Sequence, residues 1–380
     1  MPPPPDNHDD SFWRRVLDHW PQWLFQAIFT FTLVLILAWC GRGSANAPAN
    51  NNAPAPTAAA ELPFTLPGGY TARLVVTDLR GPTQVIAGPT PNTLWLAQLN
   101  GPENARTGQI LAVDLTTGQQ TVLLANLDKP TGLALLNNAL WIATRDQLLR
   151  APLSNAGPPE TPVAVLSNLP NNGRSNGTLT VTPAGFLLFE TSGSRVGATA
   201  ARNSGILWQL DPADPANPIP LATGFKGAYA HTFDSTGQLW ATEIADGTVN
   251  AQPIPDELNR ITPGGFYGWP RCLGDNLLAT SYGAQPGDCN AALPPVALFG
   301  PAATPVSLVE SPFQPGVLLV ALWGPTTPSV VAVDTTVTPA TVTPFLTGLA
   351  HPQSLLALSP AQLLITDYDT GQIWAVTPVN

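Results

Sequence analysis

Ionisable side chains stand at recurring places in this chain where they could do chemistry. Arg80, Lys129, Arg174, Lys226 and His351 each come just ahead of an apolar run. Cations brought together at one channel would focus its field and attract an anion, such as a polycarboxylate, an acidic sugar or a phosphate. The alternative is that they are solvated turn residues, each balanced by its own acid, as Lys129 follows Asp128. A second set, Glu190, Arg195, Glu243, Asp246, Asp367 and Asp369, stands at or just past the ends of other apolar runs. Glu243 and Asp246 are the candidates for a Ca²⁺ site, because hard cations take several oxygen ligands. Capping of local amides in turns is the other reading of these acids. His351, beside Pro352, is the candidate general base. His231 alternates with apolar neighbours and reads as a hydrogen-bonded core residue. Ser192 and Ser194 have no histidine in a recognisable arrangement, so nucleophilic hydrolysis has no support.

Such residues need a scaffold that returns the chain repeatedly to one place. Six copies of one pattern provide it: an apolar run, a turn, then a second apolar run. They are PTQVIAGPTPNTLWLAQ from Pro82, PTGLALLNNALWIAT from Pro130, GTLTVTPAGFLLFET from Gly177, YAHTFDSTGQLWATE from Tyr229, TPVSLVESPFQPGVLLVAL from Thr304 and PQSLLALSPAQLLITD from Pro352. Starts lie about 47 to 52 residues apart, with one gap of about 75, a spacing that signals propeller blades. A third short run follows each pair, and a fourth closes five of the six. The missing fourth run is supplied by TARLVVTDL, residues 71–79, ahead of the first blade. The expectation is an all-β, six-bladed β-propeller closed by an N-terminal strand in its last blade, which removes free sheet edges. Trp95, Trp141 and Trp240 fall at the same place in the second runs, where recurrence means packing between sheets. The 43 prolines and 32 glycines suit a turn-dense β protein.

The expected organisation is a cytoplasmic tail (1–21), an apolar segment (22–40), an Ala/Pro/Asn linker (41–61) and the propeller (62–380), with an insertion at 264–292. The segment QWLFQAIFTFTLVLILAWC is uncharged and long enough to cross a bilayer as one transmembrane helix. Arg14 and Arg15 precede it and favour a membrane-anchored propeller on the extracytoplasmic side. Two fates of the segment stand: an uncleaved anchor, which Trp39 favours, or lipidation at Cys40. Cys272 and Cys289 both fall in the insertion, where an oxidising compartment would pair them as a disulfide. The net charge of −10 argues against nucleic acid as a partner.

The insertion carries a resemblance. PDELNRITPGGFYGWPRC, residues 255–272, resembles a stretch of the glucose/sorbosone dehydrogenase-type propellers, in the sorbosone dehydrogenase-like branch, where it follows a strand like LWATE (239–243). IPLATGFK (219–226) and LITDYDTGQIWAV (364–376) resemble the same branch. The resemblance implies a six-bladed propeller outside the cytoplasm that uses pyrroloquinoline quinone (PQQ) and Ca²⁺ to oxidise a sugar or aldehyde, with a protein electron acceptor as a partner. Lys226, Arg80, Lys129 and Arg195 would be the cofactor-binding cations. Departures from the pattern are specific. The family's general-base histidine falls on Arg174, which stays protonated and cannot accept a substrate proton. Its cofactor-binding arginine falls on Lys226, which loses the bidentate fork. Its "GRD…GDD" loop falls on ADGTVNAQ (245–252) and its "HGSWNR" segment on LWGPTTPS (322–329). Two functions stay open: a PQQ-dependent sugar dehydrogenase, or a non-catalytic propeller that binds an anionic ligand or a partner protein.

Overall fold

The structure, a computed structural model, describes residues 62–154, 157–171, 176–324 and 326–379. The apolar segment 22–40 and Arg174 lie outside these residues. Among the described residues no helix is long and apolar enough to cross a membrane.

Six four-stranded antiparallel sheets form a six-bladed propeller. The first blade runs Pro82–Ala87, Thr93–Gln98, Gly108–Asp114 and Gln120–Leu127 as consecutive hairpins. Its strands alternate Val, Ile, Leu and Trp with small residues, and a turn closes each of them. The sixth sheet holds Pro352–Ser359, Gln362–Asp367 and Gln372–Pro378, with Tyr70–Val76 in its outer position. Tyr70 pairs with Pro378 and Val76 with Ile373, so both ends of the described chain meet in one blade.

Hydroxyl groups tie the blades into a ring. Ser354 Oγ accepts from Val85 N (3.1 Å) between the sixth and first blades. Thr83 Oγ1 donates to Pro130 O (2.8 Å), and Thr131 Oγ1 donates to Asn176 O. Thr180 Oγ1 donates to His231 O (2.7 Å) and Thr242 Oγ1 to Pro305 O (3.0 Å). Ser307 Oγ accepts from Leu355 N (2.9 Å) and completes the circuit. Every junction thus carries a Ser or Thr hydroxyl bonded to the next blade's backbone, each contributing about 1 kcal/mol. The inner edge strand of a blade has no further strand to pair with, and these side chains satisfy part of its exposed backbone.

The apolar core lies between the blades. Trp95 packs with Leu133, Leu140 and Ile142 of the second blade, and Trp141 with Leu179, Leu187 and Phe189 of the third. Trp240 packs with Leu318, Val320 and Val331 of the fifth. Their recurrence in sequence therefore reflects one repeated interface. His231 is buried with Nδ1 2.8 Å from Thr180 Oγ1, a core residue as its alternation predicts.

Three short hairpins decorate the blades beyond the predicted strands. They are Arg195–Val196 with Thr199–Ala200, Thr248–Val249 with Gln252–Pro253, and Cys272–Leu273 with Leu277–Leu278. The last lies in the insertion, where Cys272 and Cys289 form a disulfide.

Candidate functional site: the central funnel

The turns leading into the inner strands meet the second strands' ends around a cavity of about 570 Å³, within the range of small-molecule sites. Thr83, Thr131, Val306 and Gln353 line it. Each directly follows a proline that opens a blade: Pro82, Pro130, Pro305 and Pro352. That dipeptide is the sequence signal for channel-lining residues. Tyr229, Trp323, Tyr368, Glu103 and Asp256 also line the cavity and were not singled out.

The acids at the second-strand ends have a repeated structural role. Gln98 Oε1 accepts from Arg80 N (2.9 Å), Glu190 Oε1 from Gly177 N (3.2 Å) and Glu243 Oε1 from Lys226 N (2.7 Å). Asp367 accepts from Ala350 N (2.7 Å) and His351 N (3.3 Å). In four blades, then, a Gln, Glu or Asp at or next to the end of the second strand clamps the turn that enters the inner strand. Capping of backbone amides, one of the two readings of these acids, is what the geometry displays. Among the described residues no group of three His, Cys, Asp or Glu side chains is placed to hold a metal ion.

PDELN, the stretch that carries the resemblance, is scaffold of the same kind. Asp256 accepts from Ala245 N and from Thr304 N, both at 2.7 Å, and so joins two funnel turns. Asn259 Nδ2 donates to Glu257 Oε2 at 3.0 Å, with both side chains buried.

The candidate cations separate into two groups. Lys129 and Lys226, the only lysines in the chain, both line the funnel. Lys129 Nζ is 3.1 Å from Glu103 Oε2, and Lys226 Nζ is 3.5 Å from Asp246 Oδ1. Arg80, Arg195 and His351 do not line it. Arg80 is exposed. Arg195 lies over the Tyr282 ring, its guanidinium carbon 3.5 Å from the centroid. His351 stacks on Trp323 (centroids 4.1 Å apart), with Nδ1 2.7 Å from Asp369 Oδ2.

Among the described residues the wall therefore carries four carboxyl groups, Glu103, Glu190, Asp246 and Asp256, against two ammonium groups. Within it, burial raises the pKa of Glu190 to about 7. Burial, with the neighbouring Glu257 next, pushes Glu243 well above the usual carboxylate range. These residues do not fit a tricarboxylate quinone, because both lysines already have a carboxylate partner and acids outnumber them.

No family model matches the chain, and no curated protein does. Solved structures match its fold. The Trichoderma reesei enzyme of carbohydrate-active family AA12 is 18% identical, with a TM-score of 0.69 over 83% of this chain and 98% of that one. The PQQ-bound aldose sugar dehydrogenase of Streptomyces coelicolor is 19% identical, with a TM-score of 0.64 over 82% and 99%. The PQQ domain of Coprinopsis cinerea pyranose dehydrogenase, in its holo form, is 14% identical, with a TM-score of 0.67 over 83% and 97%. The chain shares the six-bladed propeller fold of these sugar dehydrogenase structures, a fold that the resemblance of the 255–272 stretch also implied.

Proposed function

We propose that this protein is a membrane-tethered, extracytoplasmic propeller of the glucose/sorbosone dehydrogenase type that takes a sugar or related polyol into its funnel without PQQ chemistry. The observation that carries this is the charge of the wall among the described residues: four carboxyl groups against two lysines, each lysine within ion-pair distance of one of those acids. A polyanion would meet uncompensated negative charge. An uncharged polyol would find acceptors and donors side by side, with the rings of Trp323, Tyr229 and Tyr368 beside them. The apolar run 22–40 behind Arg14 and Arg15 supports the tether, and the Cys272–Cys289 disulfide supports an oxidising compartment.

Titration of the full chain in detergent with neutral mono- and disaccharides, followed by tryptophan fluorescence, tests this directly. A saturable change is expected, and Trp323→Ala should abolish it. A panel that leaves the wild-type signal unchanged would count against a polyol funnel.

Oxidation of a sugar with PQQ and Ca²⁺ is the second reading, favoured by what the similar solved structures are named for. In this chain it requires a proton acceptor other than Arg174; the candidate, His351, is held against Asp369 outside the funnel lining and would have to reach the substrate from there.

A further inference from the structure

Aromatic rings and acids share one side of the funnel. Glu103, in the loop between the second and third strands of the first blade, lines the cavity together with Trp323, Tyr368 and Tyr229. The rings of Trp323 and Tyr368 have centroids 6.2 Å apart and planes 78° apart, so they form a corner. Neighbours fix both rings. His351 stacks on one face of Trp323 and leaves the opposite face to the cavity. Gly81, with φ +62°, lets the hydroxyl end of Tyr368 lie against its backbone, since a Cβ there would sit 3.2 Å from that end of the ring.

Two carboxyl groups of this wall keep an oxygen in reserve. Glu103 Oε2 faces Lys129 Nζ at 3.1 Å, and among the described residues Glu103 Oε1 meets no donor. The Glu103 side chain is 62% exposed, so that oxygen is open to a ligand. Glu190, 1% exposed, accepts from Gly177 N and Ser192 Oγ on Oε1, while its Oε2 is buried with no hydrogen-bond partner. The phenols respond to this charge. Burial raises the pKa of Tyr229 and of Tyr368, and nearby acids add to it: Glu190 and Glu103 for Tyr229, Glu103 and Asp369 for Tyr368.

Ring faces are negative, and a carboxylate beside them completes the surroundings that an organic cation seeks. The protein does not supply that cation itself. Among the described residues the guanidinium–ring contacts fall on Trp141, Tyr282 and Trp240, all away from this corner. Lys129 is 6% exposed and already faces Glu103.

We propose that the funnel's ligand is a cationic sugar, whose protonated amine sits in the corner of Trp323 and Tyr368 and takes the open oxygen of Glu103. The cavity of about 570 Å³ leaves room for the pyranose that carries the amine. This deepens the polyol reading and rests on it for the part of the ligand that carries hydroxyl groups.

Calorimetric titration of the full chain in detergent at about pH 6, where an amine is protonated, compares D-glucosamine, N-acetylglucosamine and D-glucose. Glucosamine should bind about tenfold more tightly than either neutral sugar. Glu103→Gln and Tyr368→Leu should each remove most of that preference, and Tyr368→Phe, which restores the ring, should keep it. Equal affinities for glucosamine and glucose would overturn the cation seat and leave the polyol reading standing. Binding of glucosamine with no response to the two neutral sugars would support the seat and overturn a funnel for neutral polyols. A gain that N-acetylglucosamine shares would overturn recognition by charge. A preference untouched by both Glu103→Gln and Tyr368→Leu would overturn the assignment to this corner, and no response to any of the three sugars would overturn both readings.

Discussion

Gly177→Ala lowers stability by about 4 kcal/mol or prevents folding, a loss at the exceptional end for one methyl group. Gly177 opens the third blade where its turn crosses the entrance of the fourth. A Cβ there would overlap the carbonyl oxygen of Tyr229 and lie 2.7 Å from its Cα, and backbone cannot swing aside as a side chain can. The same carbonyl accepts from Thr178 N at 2.7 Å, while Gly177 N donates to Glu190 and Gly177 O accepts from Thr131 Oγ1 at 3.1 Å. Separating the two chains to admit the methyl would therefore break the ring at two junctions together. Denaturant midpoints of wild type and variant measure the loss; a variant as stable as wild type would mean the blades approach less closely than described.

Stability falls as pH rises from about 4.5 to above 7, against the usual preference of globular proteins for near-neutral pH. Glu190 and Glu257, buried in the fold, both have their pKa raised to about 7, and burial is the main cause in each. Glu243 is pushed up further by burial and by the nearby Glu257. Glu190 Oε2 and Glu243 Oε2 are buried with no hydrogen-bond partner. A carboxyl whose folded pKa is raised contributes its full stability below the unfolded value and loses it as pH climbs through the folded value. For Glu190 that loss is about 3 kcal/mol between pH 4.5 and pH 7 and beyond. His231 acts in the opposite direction: burial lowers its pKa to about 4, so its contribution is lost as pH falls from 6.5 toward 4. Three carboxyl groups outweigh one imidazole, and the maximum lies near pH 5. Melting temperatures at pH 5 and pH 8 should differ in that direction, and Glu190→Gln should narrow the difference. Equal melting temperatures would show that these carboxyl groups are solvated.

The blade plan was legible in the sequence because each blade repeats one local pattern, in which strand, turn and small or acidic terminus recur together. Even the outer position of residues 70–76 followed from counting four strands per blade. Part of the candidate site was legible too: Lys129, Lys226 and Asp246 sit in turns that repetition places at one face. What could not be read was partnership. Glu103 lies in the first blade and reaches Lys129 at the entrance to the second, across 26 residues. Asp246 accepts a hydrogen bond from Trp269, which belongs to an insertion with no counterpart in the other blades. A convergence of cations and a set of neutralised pairs look the same in sequence, since the difference is a few ångströms of side-chain placement. Arg80 and Arg195 show the converse. Their places in the repeat suggested a common channel, yet neither side chain lines it, and Arg195 lies instead on Tyr282.

A funnel of paired charges offers no seat to a polyanion, and calorimetric titration of the full chain with PQQ, with and without Ca²⁺, reads this out. No saturable heat in either condition is the predicted result. Calcium-dependent binding with a micromolar or tighter Kd would contradict it and return the funnel to cofactor chemistry.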